Sequence, residues 1–353
     1  MDFTPTEEQE AARELAARIL GDLSTHERLT AAGGGTDAEL WKALCAAGLP
    51  AAVEEIGLLG LVLLLEEQGR VTAQVPLAAT GVYGILAVAR HGTDEQRARL
   101  LPGLRDGTAV ATGAFPATGA VTARDGRLTG TVTWVPWLRD AAHVLVPDAD
   151  RALWLVRAED AVVEAVELTA PWSAGRLVLD GTPAERLGDA AGESAYGDGS
   201  AVGAYEDVLA AARTAFAGLQ AGVCAGSLAR AVAYTSVREQ FGRPLATRQA
   251  VQLRAADAHM DTEAIRVTAY EAAWRSDAGL DCAGAALTAA WWASEAGKRV
   301  VHSGQHLHGG MGADLDHPVH RHFLWGRQLD AYLGAGTELL AELGDLLAKG
   351  ETA

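Results

Sequence analysis

The residues best equipped for chemistry lie in one short stretch, between positions 238 and 249. A helix ending at Arg238, a turn at residues 242–244 and a second helix would present a guanidinium group, an amide side chain and an aromatic ring together. These groups belong to Arg238, Gln240, Phe241 and Gln249. A guanidinium suits a pyrophosphate, and an aromatic ring suits a flat heteroaromatic base. An ordinary corner between two helices would also explain the stretch, so the residues alone leave both interpretations open.

A second group of residues with chemical potential is a run of histidines near the C-terminus. His302 and His306 are four residues apart, a spacing that can place two imidazoles on one helix face to bind a metal ion. No HExxH motif accompanies them, and Gly309-Gly310 interrupts the face. We therefore predict no metal site and interpret the imidazoles as solvated or hydrogen-bonded. GxGxxG, Walker and GxSxG motifs are also absent.

Composition narrows the class of protein. The 353 residues are 49% apolar and 21% charged, a balance typical of a folded globular chain. A net charge of −17 disfavours binding to nucleic acid or to anionic lipid. The longest apolar run, residues 58–65, is too short for a membrane span. The N-terminus does not resemble a signal peptide, and the three cysteines form no CxxC pattern, so we expect a cytoplasmic protein.

The chain divides into three parts that differ in their pattern of apolar residues. We predict these parts to be domains, at residues 1–107, 108–200 and 201–353. The first and last parts have helical periodicity, and the middle part has short β-rich runs between turn residues. This order is not the alternation of a doubly wound fold. The sequence therefore predicts an α+β protein with two helical domains around a β domain.

Local signals set several boundaries inside these parts. Capping boxes at Thr6 and Thr93 predict helix starts, and Pro102 predicts the end of the second of these helices. Asp125-Gly126 between two alternating runs predicts a tight hairpin. Residues 188–200, rich in Gly, Ala and Ser, are expected to form a loop.

Together these features resemble the acyl-CoA dehydrogenase family. Residues 237–260 resemble its flavin-binding signature, R-x-x-F-G-x-x-x-x-x-x-Q, and the helix–β–helix order matches over nearly the whole chain. The run from His308 to Gly312, followed by Pro318, is similar as well. The resemblance implies an N-terminal α-helical domain, a middle β-barrel or sandwich and a C-terminal four-helix bundle.

The resemblance also implies a cofactor, FAD, and the residues that bind it. In the family, the signature binds the FAD of a neighbouring subunit, the glutamine before the Gly-Gly pair also contacts it, and a tryptophan lies beside the flavin. Histidine replaces that glutamine here. The positions implied are Arg238, Gln240, Phe241, Gln249, His306, Gly310 and Trp134.

The same resemblance shows what this sequence lacks. The catalytic glutamate of most members falls on Leu333, and the alternative glutamate position falls on Ala212. Neither side chain can accept a proton. In the loop that holds the flavin ring, residues 114–121, the threonine and serine positions are alanines, Ala114 and Ala120. The groups that reach a neighbour's FAD are therefore kept, and those of the chain's own site are lost.

This asymmetry resembles the shorter, base-lacking subunit of the α2β2 acyl-CoA dehydrogenases of bacterial sterol side-chain degradation. It implies a chain that contributes FAD binding at a subunit interface. The implied partners are a second dehydrogenase-like subunit, an acyl-CoA substrate of bulky or steroid type and an electron-accepting flavoprotein.

Two alternatives remain open at this stage. The chain could be a self-sufficient homo-oligomeric dehydrogenase with a relocated base, Asp330 or Glu338. It could also be a flavin-free acyl-CoA-binding or scaffold protein. Arg213 and Arg230, on the helix before the signature, could face CoA phosphates or solvent.

Overall fold

The computed structural model describes residues 2–115, 120–188, 193–195 and 201–350. Its first part is helical, with a π-helical segment at Thr80–Leu86. The helices are α1 (Glu7–Leu23), α2 (His26–Ala32), α3 (Ala38–Ala46), α4 (Leu49–Val71), α5 (Leu77–Ala79), α6 (Ala87–His91) and α7 (Asp94–Asp106).

Both predicted capping boxes are confirmed. The Thr6 hydroxyl accepts from the Gln9 amide, and the Gln9 side chain accepts from the Thr6 amide, so two otherwise unpaired N–H groups are satisfied at the start of α1. Thr93 and Gln96 do the same for α7. The predicted helix end at Pro102 is wrong. Burial of Leu104, which is 1% exposed, holds the last turn of α7 in place, and Gly107 (φ 76°) terminates the helix instead.

Between α7 and Ala204, the described residues form ten strands. They are β1 (Ala111–Gly113), β2 (Val121–Arg124), β3 (Arg127–Val135), β4 (His143–Pro147), β5 (Leu153–Arg157), β6 (Val162–Ala165), β7 (Gly175–Pro183), β8 (Glu185–Arg186), β9 (Glu193–Ala195) and β10 (Ala201–Gly203).

Eight of these strands build two four-stranded sheets, ordered β1-β4-β5-β8 and β2-β3-β7-β6. Strands β1 and β4 are parallel, and the other pairs within these sheets are antiparallel. One apolar cluster joins residues of both sheets, including Leu128 and Leu177 from one and Val144 and Val156 from the other. The two inner faces therefore pack as a sandwich.

In the middle part, the structure confirms one predicted turn and differs from one predicted loop. Asp125 and Gly126 both have positive φ between the paired residues Arg124 and Arg127, which confirms the predicted hairpin. The prediction of a loop at residues 188–200 is partly wrong. Residues 193–195 form β9, which pairs with β10, and β10 begins just after this stretch. Residues 189–192 and 196–200 lie outside the described residues.

The last part is a helical bundle with one small hairpin. Its elements are α8 (Ala204–Val237), β11 (Glu239–Gln240), β12 (Arg243–Pro244), α9 (Gln249–Asp277), α10 (Ala283–His308), α11 (Val319–Leu329) and α12 (Gly336–Ala348). The helix–β–helix order and the fold class predicted from the sequence are confirmed. The domain limits at residues 107 and 200 remain a proposal, supported by the end of α7 at Asp106 and the start of α8 at Ala204.

Helix α8 forms the axis of the molecule and packs on α4, α9 and α10. Its approach to α4 is close: a Cβ at Gly222 would lie 2.0 Å from the Glu66 carbonyl oxygen. Within the described residues α8 alone is long and apolar enough to cross a membrane as a single helix, and α3 with α4 would qualify only as a pair bent by 76°. Of the most apolar window of α8, 94% is buried inside the protein, so its apolar character is that of a core helix.

Candidate functional site

Helix α8 ends at Val237, and the chain then makes a tight hairpin before α9 begins. Strand β11 pairs with β12, and the two residues at the tip have positive φ, 53° at Phe241 and 74° at Gly242. Glycine adopts this left-handed geometry freely, whereas phenylalanine does so at an energetic cost. The Leu245 amide donates to the Arg238 carbonyl at 2.9 Å and closes the base of the hairpin. Residues 238–248 are called the Arg238 loop below.

The loop presents its polar and aromatic side chains to solvent. Arg238, Gln240 and Gln249 are all exposed, and Phe241 is 91% exposed. Within the described residues, the Arg238 guanidinium has no hydrogen-bond or ion-pair partner. An unpaired guanidinium beside two amides and a free ring can bind an anion joined to a flat ring system.

The turn that carries Gly310 lies against the same end of α8. Tyr234, four residues before Arg238, stacks on the ring of His308 with a centroid distance of 4.8 Å. His308 is buried, and its Nδ1 lies 2.7 Å from the Gly304 carbonyl oxygen. Gly309 and Gly310 follow at once, with open space where a Cβ would stand, and His306 is exposed. One aromatic stack therefore joins the last turn of α10, which precedes Gly310, to the end of α8 from which the Arg238 loop continues.

The remaining histidines serve different parts of the fold. His322 is buried on α11, its Nε2 donates to the Arg70 carbonyl at 3.0 Å, and burial lowers its pKa to about 4. His302 packs edge-on against Phe323 at a centroid distance of 4.9 Å. Among the residues that the structure describes, no three His, Cys, Asp or Glu side chains are grouped in a way that could hold a metal ion.

The positions expected to hold a catalytic base lie at the opposite end of α8. Ala212 is fully buried on that helix, and Leu333 is 6% exposed after α11. Trp134 lies on β3, and its ring is 5.3 Å from the ring of Tyr332, the neighbour of Leu333. Ala114, at the start of the predicted ring-binding loop, is buried next to Phe115, whereas residues 116–119 lie outside the described residues. The structure thus gathers the predicted Trp134, Leu333 and Ala212 positions around one region.

Aromatic side chains fill that region. We call them the aromatic cluster: Tyr83, Phe115, Tyr205, Phe216 and Tyr332. Their rings form a chain of contacts, with centroid distances of 5.2 Å for Tyr83–Phe115, 5.6 Å for Phe115–Tyr205 and 4.6 Å for Phe216–Tyr332.

Hydrogen bonding and burial keep the cluster neutral and closed. The Tyr83 and Tyr332 hydroxyls lie 2.9 Å apart and share a hydrogen bond. Burial raises the pKa of both phenols, so neither ionises near neutral pH. The cavity left between Phe216, Tyr332 and Leu333 measures about 20 Å³. Ligand sites usually measure about 300–1,000 Å³, so this space holds at most a water molecule.

Arg213 closes the side of this cavity. It is 9% exposed in its side chain, and its two terminal nitrogens donate to the two carboxylate oxygens of Glu342 on α12 at 2.8 and 2.6 Å. The sequence left open whether Arg213 faces CoA phosphates or solvent, and the structure shows its guanidinium buried and paired with Glu342. Arg230 is half-buried, and burial lowers the pKa of its guanidinium.

The two carboxylates considered as relocated bases are engaged elsewhere. Asp330 lies 3.0 Å from the Arg327 guanidinium, and burial raises the pKa of its carboxyl group. Glu338 is exposed and accepts from the Ala335 amide at 3.0 Å, which caps α12. Among the described residues, those lining the 20 Å³ cavity include no carboxyl group.

Comparisons with known protein families and sequences show which family this chain belongs to. Residues 6–108 match the family described as "Acyl-CoA dehydrogenase, N-terminal domain", and residues 199–342 match its C-terminal domain. The chain is 36% identical to the acyl-CoA dehydrogenase FadE27 of Mycobacterium tuberculosis over 386 aligned residues, 99% of each protein. This chain belongs to the acyl-CoA dehydrogenase family. The resemblance stated from the sequence and the enzyme class that it implied are confirmed.

Two solved structures are similar to this chain over nearly its whole length. One is a variant of the Tcur3481-Tcur3483 steroid ACAD, with 42% identity, a TM-score of 0.89 and coverage of 98% of this chain and 99% of that one. The other is the ChsE4-ChsE5 complex from Mycobacterium tuberculosis, with 33% identity, a TM-score of 0.89 and full coverage of both chains. FAD is the cofactor of the acyl-CoA dehydrogenase family, as predicted.

The two ends of α8 differ in how well they fit FAD. At the Ala212 end, the ring of Tyr332 lies 5.3 Å from that of Trp134, and the described residues that line the adjoining 20 Å³ cavity offer neither a carboxyl group nor space for an acyl chain. At the Arg238 end, exposed donors and a free ring fit the nucleotide half of FAD. The aromatic cluster was not predicted from the sequence. The sequence indicated it only through Phe115, next to Ala114, and Tyr332, next to Leu333.

Proposed function

We propose that this chain is the FAD-contributing, base-lacking subunit of a hetero-oligomeric acyl-CoA dehydrogenase. A second dehydrogenase-like subunit would supply the flavin-ring loop and the catalytic carboxylate, in an α2β2 assembly. The observation that carries the proposal is the contrast within one chain between a filled site of about 20 Å³ and an exposed Arg238 loop. The similarity to the ChsE4-ChsE5 complex and to the steroid ACAD supports a heteromeric arrangement and a bulky, steroid-type acyl-CoA substrate.

The residues of this chain would act on the cofactor by holding and orienting it. When bound, FAD accepts the hydride removed from the β-carbon of the acyl thioester. Arg238 would bind the pyrophosphate through charge-assisted hydrogen bonds, and Gln240 and Gln249 would bind polar groups of the nucleotide. Phe241 offers a ring for stacking, and Gly310 allows close backbone approach where a side chain would interfere. His306 and Trp134 remain predicted contacts, the latter now covered by Tyr332.

An apolar surface next to the Arg238 loop supports a partner on this side of the bundle. Val237, Leu253 and Met260 are 78%, 57% and 65% exposed, in addition to Phe241. Large apolar side chains exposed on adjoining elements are typical of a surface that another chain covers. We further propose that electrons leave the assembled enzyme for an electron-accepting flavoprotein, and that the protein is cytoplasmic.

Expression with and without a sister subunit tests the proposed function. The chain purified alone is expected to contain no flavin and to show no acyl-CoA dehydrogenase activity. The same chain co-purified with a dehydrogenase-like subunit that has an intact base is expected to give a yellow, active complex with one FAD per pair of chains, measured by flavin absorbance and mass photometry. Full flavin loading and turnover by the isolated chain would support the self-sufficient dehydrogenase instead. A monodisperse, acyl-CoA-binding chain that forms no complex would support a scaffold.

Replacing Arg238 tests the assignment of the loop. In the assembled complex, Arg238→Ala is expected to weaken FAD binding by about 1.5–3 kcal/mol, roughly ten- to hundredfold in dissociation constant, because one charge-assisted contact is lost. Flavin fluorescence on dilution gives the dissociation constant. Arg18→Ala, which removes an exposed arginine on α1, is the matched control and should leave it unchanged. Unchanged FAD affinity in Arg238→Ala would remove Arg238 from the site.

A further inference from the structure

Arg248 makes an unusual set of contacts inside the Arg238 loop. Its Nη2 donates to the backbone carbonyl of Gln240 at 2.7 Å, and its guanidinium carbon lies 5.2 Å from the centroid of the Phe241 ring. Its own backbone amide donates to the Leu245 carbonyl at 3.0 Å, and it is the N-cap residue of α9. One half-buried side chain therefore connects the tip of the hairpin to the start of the helix that carries Gln249.

The tip needs such a connection because little else holds it. Phe241 has a φ of 53°, a left-handed conformation that is unfavourable for an aromatic residue, and its ring is 91% exposed. The hairpin strands contain only two residues each, too few to be stable by themselves. A guanidinium that binds the Gln240 carbonyl and lies over the Phe241 ring fixes both residues at once.

We propose that Arg248 is a positioning residue, which sets Gln240 and Phe241 in their binding conformation before the nucleotide end of FAD arrives. The inference rests on the proposed function of the Arg238 loop. Arg248 acts through its two neighbours and does not itself have to bind the phosphates, because its guanidinium is already committed to the Gln240 carbonyl and the Phe241 ring. Ordering the loop in advance removes a conformational cost that FAD binding would otherwise carry.

The effect of Arg248 is measurable as FAD affinity in the heteromeric complex. Arg248→Ala is expected to raise the FAD dissociation constant about tenfold, the size of one lost charge-assisted hydrogen bond. Arg248→Lys is expected to recover only part of the loss, because an ammonium group can donate to the same carbonyl but lacks the planar guanidinium that also covers the ring. The thermal midpoint of the protein should stay within about 2 °C in both variants, since the loop lies outside the core.

A double-mutant cycle with Phe241→Ala distinguishes positioning from an independent contact. If Arg248 works through Phe241, Arg248→Ala should cost about threefold less affinity in the Phe241→Ala background than in the wild type. Strictly additive losses, or unchanged affinity in Arg248→Ala while Arg238→Ala weakens binding, would overturn the positioning role and leave the proposed function intact. Unchanged affinity in both arginine variants would overturn the proposed function as well.

Discussion

A glutamate placed at position 333 is expected to destabilise this chain and to give no dehydrogenase activity. Leu333 is 6% exposed and borders the 20 Å³ cavity, so a carboxylate there has neither water nor space for a substrate. Arg213 lines the same cavity, but both of its terminal nitrogens are bound to Glu342. We expect Leu333→Glu to lower the free energy of unfolding by about 2–4 kcal/mol near neutral pH.

The pH dependence of this loss follows from burial. Burial disfavours the charged form, so the pKa of the new carboxyl group is higher in the folded chain than its ordinary value near 4.3. The folded state then binds the proton more tightly than the unfolded state, and the loss relative to wild type grows as the pH rises above about 4 until it passes the raised pKa. Leu333→Met, which keeps the volume and adds no charge, should cost less than about 1.5 kcal/mol at every pH.

Urea denaturation of the two variants between pH 4.5 and 8 measures these differences, and assays with acyl-CoA thioesters and an artificial electron acceptor measure activity. Turnover by the isolated Leu333→Glu chain would show that the missing base alone had silenced the site. Equal stability of Leu333→Glu and Leu333→Met would contradict the closed cavity.

Removing the Glu66 side chain is expected to lower the free energy of unfolding by a similar amount, for a different reason. This buried carboxylate on α4 joins α4 to α9, where Arg266 donates to Oε1 from Nε at 2.8 Å and Tyr270 donates to Oε2 at 2.9 Å. Burial and the Glu66 carboxylate raise the pKa of Tyr270, so its hydroxyl stays a donor. Glu66→Ala leaves the Arg266 Nε and the Tyr270 hydroxyl without their acceptor, and we expect a loss of about 2–4 kcal/mol in the free energy of unfolding.

Glu263→Ala is the matched control, because Glu263 binds the same Arg266 but its side chain is 47% exposed. Its loss should stay within about 1 kcal/mol, since water replaces much of an exposed ion pair. Denaturant midpoints of the two variants at equal slope give the comparison. A Glu66→Ala chain as stable as the Glu263→Ala chain would show that this network contributes nothing to the packing of α4 on α9.

Local features of the fold were predictable where a few neighbouring residues decide the outcome. The caps at Thr6 and Thr93 and the Asp125-Gly126 turn satisfy backbone groups within four residues, so their patterns are visible in the sequence. The end of α7 was not, because the burial of Leu104 against other elements outweighs the local effect of Pro102. Tertiary packing decides such boundaries.

The candidate site also has one part that the sequence could predict and one part that it could not. The Arg238 loop is one continuous segment, so its residue types could be recognised together from the sequence. The aromatic cluster takes two rings from α8 and three from distant parts of the chain, Tyr83, Phe115 and Tyr332, and these long-range contacts exist only in the folded chain. Two lost glutamates indicated that a base was missing, but no short pattern could indicate that the space beside them is filled.

Helix α8 sets the distance between these two features. Ala212 and Arg238 are 26 residues apart along one continuous helix, which corresponds to about 40 Å at 1.5 Å per residue. Side chains this far apart share no contacts, so substitutions at the cavity and in the Arg238 loop are expected to act independently. The cavity and the Arg238 loop can therefore be redesigned separately, provided that α8 keeps its close glycine contacts with α4.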